Sequence, residues 1–186
     1  FSGSADSVLN RIRKVLKDES GETFPVAAIE TEMADLGKVT GFSEEMIDNV
    51  LEYTKGGRRT FLTLTLLYDQ IDFGSIQYHQ DHIIPSSLLD EDSLVDEGLD
   101  EDKAEAFDAQ ADRLANLQLL TGRENEAKQD TPFEEWIKSQ DESFYDRHLI
   151  PTDPETHQIE NFDRFLEQRS ELIRNELQSV LGPVEH

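Results

Sequence analysis

Five polar positions in this chain have the types and the order that metal-assisted hydrolysis requires. Asp81 and His82 stand side by side in Tyr78-His79-Gln80-Asp81-His82-Ile83-Ile84-Pro85, and Asn116 opens the run Asn116-Leu117-Gln118-Leu119-Leu120. Asn125 and Lys128 follow in Asn125-Glu126-Ala127-Lys128. Carboxylate and amide oxygens are hard donors of the kind Mg2+ takes. Histidine is the side chain whose ordinary pKa lets it take a proton from water near neutral pH. Each part alone is weak: an Asp-His pair beside apolar residues is usually structural, a lone Asn116 reads as a turn former, and a lone Asn125 as a solvated helix residue. Their joint order and spacing carry the signal. Strand geometry adds a constraint, because neighbours on a regular strand point to opposite faces. Asp81 and His82 can serve one site only where the strand ends and bends, and Pro85 fits such a bend.

The pattern resembles the HNH nuclease site, a strand-strand-helix unit that holds one divalent metal and cuts a phosphodiester bond. That cut needs an activated water, a counter-charge for the phosphorane-like transition state, and help for the leaving 3′ oxygen; one metal supplies the last two. The resemblance implies Asp81 as a metal ligand, His82 as the general base, and Asn116 as the residue that orders the loop around that base. It implies Asn125 as the ligand completing the metal site from the helix, with Mg2+ or Mn2+ as cofactor. An asparagine in that last position is similar to the HNH domain of the RNA-guided CRISPR nuclease, which also has an Asp-His-Ile-x-Pro run. Lys128, one helical turn beyond Asn125, would face the same side and meet the scissile phosphate. Arg123 is a second candidate phosphate contact. His79 shares a strand face with Asp81 and is either a substrate or supporting contact or plain structure. His148 and His157 sit among loop signals and receive no role, nor does His186, which reads as the stub of a tag.

Behind these residues stands a fold expected to be mainly α with a small embedded ββα-metal unit, α+β in class. Three regions are expected: a helical lead-in over 1–75, the nuclease unit over 76–140, and a loop and long helix over 141–186 packing on the lead-in. Val8, Ile12, Val15 and Leu16 fall at helical spacing among Arg11, Arg13, Lys14 and Lys17, so the first helix is basic. Its basic face is either solvated or a contact for a nucleic-acid backbone or another domain. A second helix should follow Pro25 and stop at Gly37; a third should start after Ser43 and run towards Gly56-Gly57. Residues 59–71 alternate like a strand but are long enough for a buried helix, which is preferred. Strands are expected over 77–84 and 117–120, and helices from near Arg123, from Pro132, and over Ile159–Leu181 up to Gly182-Pro183. Asp90–Asp112 carries eleven acids and a single lysine; it reads as an exposed insertion between the strands, helical from about Asp102 to Arg113. Together, the Asp-His-Ile-Ile-Pro strand, the Arg113-Leu114-Ala115-Asn116-Leu117-Gln118-Leu119-Leu120 run, Asn125 with Lys128, and Phe162-x-x-Phe165-x-x-x-Arg169 resemble the C-terminal domain of GmrSD-type modification-dependent restriction enzymes. That group includes the SspE effector of phosphorothioate-based phage defence. The resemblance implies nicking or cleavage of foreign DNA, restriction linked to modification, and an N-terminal nucleotidase domain as partner; the abrupt start at Phe1 reads like an excised piece.

Composition sets the outer bounds. The 186 residues can bury a real core, no run is apolar enough to span a membrane, and the absence of cysteine excludes thiolate metal sites, thiol catalysis and disulfides. A cytoplasmic location is compatible with that. The charge is unusual: 41 acidic against 17 basic residues leave a net −24, and phosphate repels such a surface. Acids spread along the whole chain with an ordinary apolar fraction point to a halophilic protein, for which molar salt shrinks the Debye length to about 3 Å. The competing reading is a degenerate HNH-like domain acting as a protein-interaction module. The simultaneous presence of Asp81, His82, Asn116, Asn125 and Lys128 argues against decay. A ribonuclease on the same scaffold lacks a basic or aromatic single-strand platform.

Overall fold

The computed structural model describes residues 5–18, 25–36, 43–68, 71, 74–128 and 131–181, which divide into two compact units. The smaller, spanning Phe1–Ser43 and Leu181–His186, contains α1 (Ala5–Asp18) and α2 (Val26–Asp35), whose Arg11 and Glu32 pair at 2.6 Å. The larger, Glu44–Val180, contains everything else. This division follows neither of the boundaries expected near 75 and 140. Gly37 and Gly182-Pro183, expected as helix stops, lie outside the described residues.

In the larger unit α3 (Glu44–Leu51) is followed by α4 (Arg58–Leu66). The third helix therefore ends before Gly56, because Tyr53 to Lys55 turn away to pair with a distant segment: Lys55 N–H donates to the Asp112 carbonyl, Leu114 N–H to the Tyr53 carbonyl, and Thr54 bridges Arg113. Residues 58–66 are helical because Thr60, Thr63, Leu64 and Leu67 are the buried positions. That spacing is helical and overrides the local alternation.

The sheet is two-stranded and antiparallel, β1 (Tyr78–His82) against β2 (Leu117–Thr121), with Asp81 opposite Gln118 and His82 opposite Leu117. Between the strands lie α5 (Glu91–Asp96) and α6 (Glu101–Gln110), each N-capped by an aspartate. Asp90 accepts from Ser93 N–H and Asp100 from Lys103 N–H, satisfying donors that a helix start leaves open. The acidic segment is thus more than the expected exposed insertion. Leu94, Ala104 and Phe107 are buried in the core, and the Phe107 ring meets Phe162 edge-on at 5.3 Å. Its acids face water while Leu94, Ala104, Phe107 and Ala111 anchor it.

After β2 come α7 (Gly122–Lys128), α8 (Phe133–Ile137), α9 (Glu142–His148), two short 3-10 turns, and α10 (Phe162–Leu181). Phe162, Phe165, Leu166, Arg169, Ile173 and Leu177 form the buried stripe of α10. Arg169 is 1% exposed, and its guanidinium donates to the main-chain carbonyls of His148, Leu114 and Ala115. It ties the last helix to the turn immediately ahead of Asn116. The outer edge of β2 is closed by Tyr68, whose hydroxyl accepts the Leu119 N–H at 3.0 Å and bonds His148 Nδ1 at 2.9 Å. Mainly α with one small sheet, the unit is α+β as expected. No helix among the described residues is long and apolar enough to cross a membrane.

Candidate active site

The sharpest local structure lies where β1 ends. Asn116 is fully buried; its amide oxygen accepts the Ile84 N–H at 2.9 Å, and its amide nitrogen donates to the carbonyls of Ile84 at 2.9 Å and Ala111 at 2.8 Å. Its own carbonyl accepts the Ile83 N–H. One side chain therefore clamps the backbone just past Asp81-His82 and fastens it to the end of the acidic segment.

Asp81 leaves the sheet on the side of α7. Its Oδ2 accepts from Gln118 Nε2 at 3.0 Å and lies 3.0 Å from Lys128 Nζ. Lys128 also donates to the His82 carbonyl at 2.7 Å, lies over the Trp136 ring, and is only 1% exposed. The expected contact of Lys128 with a scissile phosphate is therefore corrected: the ammonium is enclosed and braces the end of β1 against α7. Burying a lysine requires such partners, since an unpaired ammonium in the interior is costly. Asn125 sits one turn earlier on the same helix, half-buried and without a hydrogen bond from its side chain to another described residue. His79, half-buried two residues before Asp81, turns Nε2 towards Gly122 at the start of α7. Arg123 is exposed.

His82 leaves the sheet on the opposite side. β1 stays in register through His82, its last residue, and the chain bends at Ile83-Ile84 under the Asn116 clamp, at the strand end just ahead of Pro85. The ring is 8% exposed and has two partners: Nε2 lies 2.7 Å from Asp112 Oδ1 and Nδ1 lies 3.1 Å from Lys55 Nζ. Burial lowers the imidazole pKa, the Asp112 bond opposes that, and the Lys55 charge adds to it. Lys55 and Asp112 carried no signal in the sequence. His148 is buried and stacked on Phe144, and burial, with the Arg147 and Arg169 charges, pushes it down to about 2. It is a neutral core residue. His157 donates through Nε2 to the Pro151 carbonyl at 2.7 Å and lies against Phe133; since a carbonyl only accepts, Nε2 carries the proton.

The hard oxygen donors that the α7 side of β1 could offer a divalent ion are the Asp81 carboxylate, whose two bonds both fall on Oδ2, and the Asn125 amide one turn before Lys128. Among the described residues no three His, Cys, Asp or Glu side chains cluster as a metal cage. One carboxylate and one amide suit Mg2+, which keeps several waters and takes substrate phosphates as ligands.

The family model for the C-terminal domain of GmrSD restriction endonucleases matches residues 40–176. No curated protein matches the chain.

Proposed function

This chain belongs to the family of C-terminal domains of GmrSD restriction endonucleases, and on that premise we propose that it is an HNH-type, Mg2+- or Mn2+-dependent domain that nicks or cleaves DNA. The observation that carries this reading is the reach of Lys128 from α7 to both Asp81 and His82, at 3.0 and 2.7 Å. It holds the helix face bearing Asn125 against the strand end bearing the carboxylate and the imidazole. A DNA phosphate lying across that strand end meets Asp81 and Asn125 on one side and His82 on the other. His82 takes a proton from water, the hydroxide oxygen bonds to phosphorus, and the bond from phosphorus to O3′ breaks. The departing oxygen keeps the electron pair and is protonated by solvent. A divalent ion held by Asp81 and Asn125 would supply counter-charge to the transition state and the leaving oxygen. Asn116 keeps the loop beside the base in place, and Arg123 is free to meet the phosphate backbone. Within the same reading the chain acts in the cytoplasm, in modification-linked restriction of phage DNA, beside a nucleotidase domain.

Supercoiled plasmid is the direct test. Nicking with Mg2+ or Mn2+, none with EDTA, and a rise in melting temperature with Mn2+ that Asp81→Ala abolishes are the expected results. Metal-independent nicking, or an unaltered Mn2+ shift in the variant, would exclude this assignment of the metal ligands.

The charge belongs to the same proposal. At net −24 the domain repels both itself and DNA over a Debye length of about 30 Å at 0.01 M salt, and about 3 Å at 1 M. Raising KCl from dilute to molar levels should therefore raise the melting temperature and leave nicking intact or faster. An ordinary DNA-binding protein loses affinity steeply over that range. Stability and activity that both collapse by molar KCl would exclude the halophilic reading.

A further inference from the structure

We propose that Lys55 and Asp112 form a two-sided bracket on His82, in which Asp112 fixes the ring tautomer and Lys55 is the substrate-phosphate contact that uncovers the base. The proposal rests on the nuclease reading of His82 given above. A lysine ammonium only donates hydrogen bonds and a carboxylate only accepts them. The ring nitrogen beside Lys55, at 3.1 Å, must therefore present its lone pair, and the one beside Asp112, at 2.7 Å, must carry the hydrogen. His82 is thus assigned as the Nε2–H tautomer, and Nδ1 is the nitrogen that can receive a proton from water. In the DNA-free protein that lone pair is covered by Lys55.

The cover is held by the backbone rather than by chance contact. Lys55 N–H donates to the carbonyl of Asp112 at 2.9 Å, Thr54 bridges Arg113, and the next residue, Gly56, gives its N–H to Gln80 Oε1 at 3.2 Å. Gly56 has φ +85°, a conformation that glycine adopts without strain. The two side chains on His82 thus come from paired backbone positions, and their turn is also fastened to β1. Lys55 is nevertheless exposed and Lys128 is buried, so Lys55 is the cation at this site that an incoming phosphodiester can reach. A bond from ammonium to a neutral imidazole is weaker than one to an anionic phosphate oxygen. DNA draws Lys55 away from Nδ1, which both seats the phosphate beside the base and frees the lone pair for water.

Nitrogen NMR of the His82 ring in the full chain, combined with plasmid kinetics, tests this directly. The DNA-free protein should show the Nε2–H tautomer. Asp112→Ala should mix the tautomers and Asp112→Glu should restore them. Lys55→Ala should shift the Nδ1 resonance, and adding a short duplex oligonucleotide with EDTA to the unaltered protein should produce a shift in the same direction. Kinetically, Lys55→Ala should raise KM about tenfold with a smaller change in kcat and reduce the salt dependence of binding by about one phosphate contact. Asp112→Ala should lower kcat about tenfold with KM held, the low end of the range for losing help to a general base. An Nδ1–H tautomer in the free protein, or an Nδ1 resonance that does not move with DNA, overturns the bracket even if the domain is a nuclease. If His82→Ala nicks at the full rate while the ring signals behave as expected, the nuclease reading of His82 fails and the tautomer assignment stands.

Discussion

His82→Ala is expected to lower the rate of plasmid nicking by at least ~10²-fold, the usual scale for losing a positioned general base, with the fold intact. Retention of the fold follows from the partners of the ring. The ring contacts Asp112, whose side chain is 59% exposed, and Lys55, which is exposed as well. Water replaces His82 at both, so neither charge is stranded in the interior. With no charge stranded, the stability cost should stay in the common range for a single substitution, about 1–2 kcal/mol. A stopped assay over a dilution series of enzyme measures the rate, and a melting curve on the same sample checks the fold. A rate within a factor of two of the unaltered domain would remove His82 from the mechanism and favour the interaction-module alternative.

Asn116→Ala should do the reverse, with its primary effect on stability. The substitution leaves the Ile84 N–H and the Ile84 and Ala111 carbonyls without their partners in a fully buried place. Stranded backbone groups cost about 1–3 kcal/mol each, so a loss of about 3 kcal/mol or more is expected, read as a fall of roughly 10 °C in melting temperature. Asn116→Asp keeps one acceptor and loses both donors, and should fall nearly as far. Urea unfolding at fixed temperature measures both variants. A stable Asn116→Ala domain that has lost activity would make Asn116 a direct participant in the chemistry rather than the clamp on its loop.

Much of this site was legible from residue types because its parts lie within short, well-marked segments. Pro85 and the apolar run before it bounded β1, and Asn116 before Leu117-Gln118-Leu119-Leu120 marked the start of β2. Lys55 and Asp112 were not legible. Their pairing depends on α3 stopping at Leu51, and nothing near Leu51 announces that stop; Asp112 is one of eleven acids in its segment and looks like the others. The burial of Lys128 was hidden for a related reason. A lysine at a helix end normally reads as solvated, and only contact with Asp81, distant in sequence, gives it a place inside. Residues 59–71 alternate locally like a strand while their length favours a helix, and the buried spacing of Thr60, Thr63, Leu64 and Leu67 agrees with the observed α4. The short α9 was missed because it buries only Phe144 and His148, too few positions to make a period.

The guanidinium of Arg169 addresses carbonyl oxygens and no side chain. Every amino acid supplies that oxygen, so the bonds make no demand on what is encoded at 114, 115 or 148. As far as this joint is concerned, those three positions are constrained by packing and by the Tyr68 bond to the His148 ring, while 169 carries the entire burden of the joint itself. A lysine there has one nitrogen in place of three and cannot span two separate chain segments at once. Arg169→Lys is therefore a large change at one codon, while a packing-preserving substitution at 114 or 115 leaves the joint untouched.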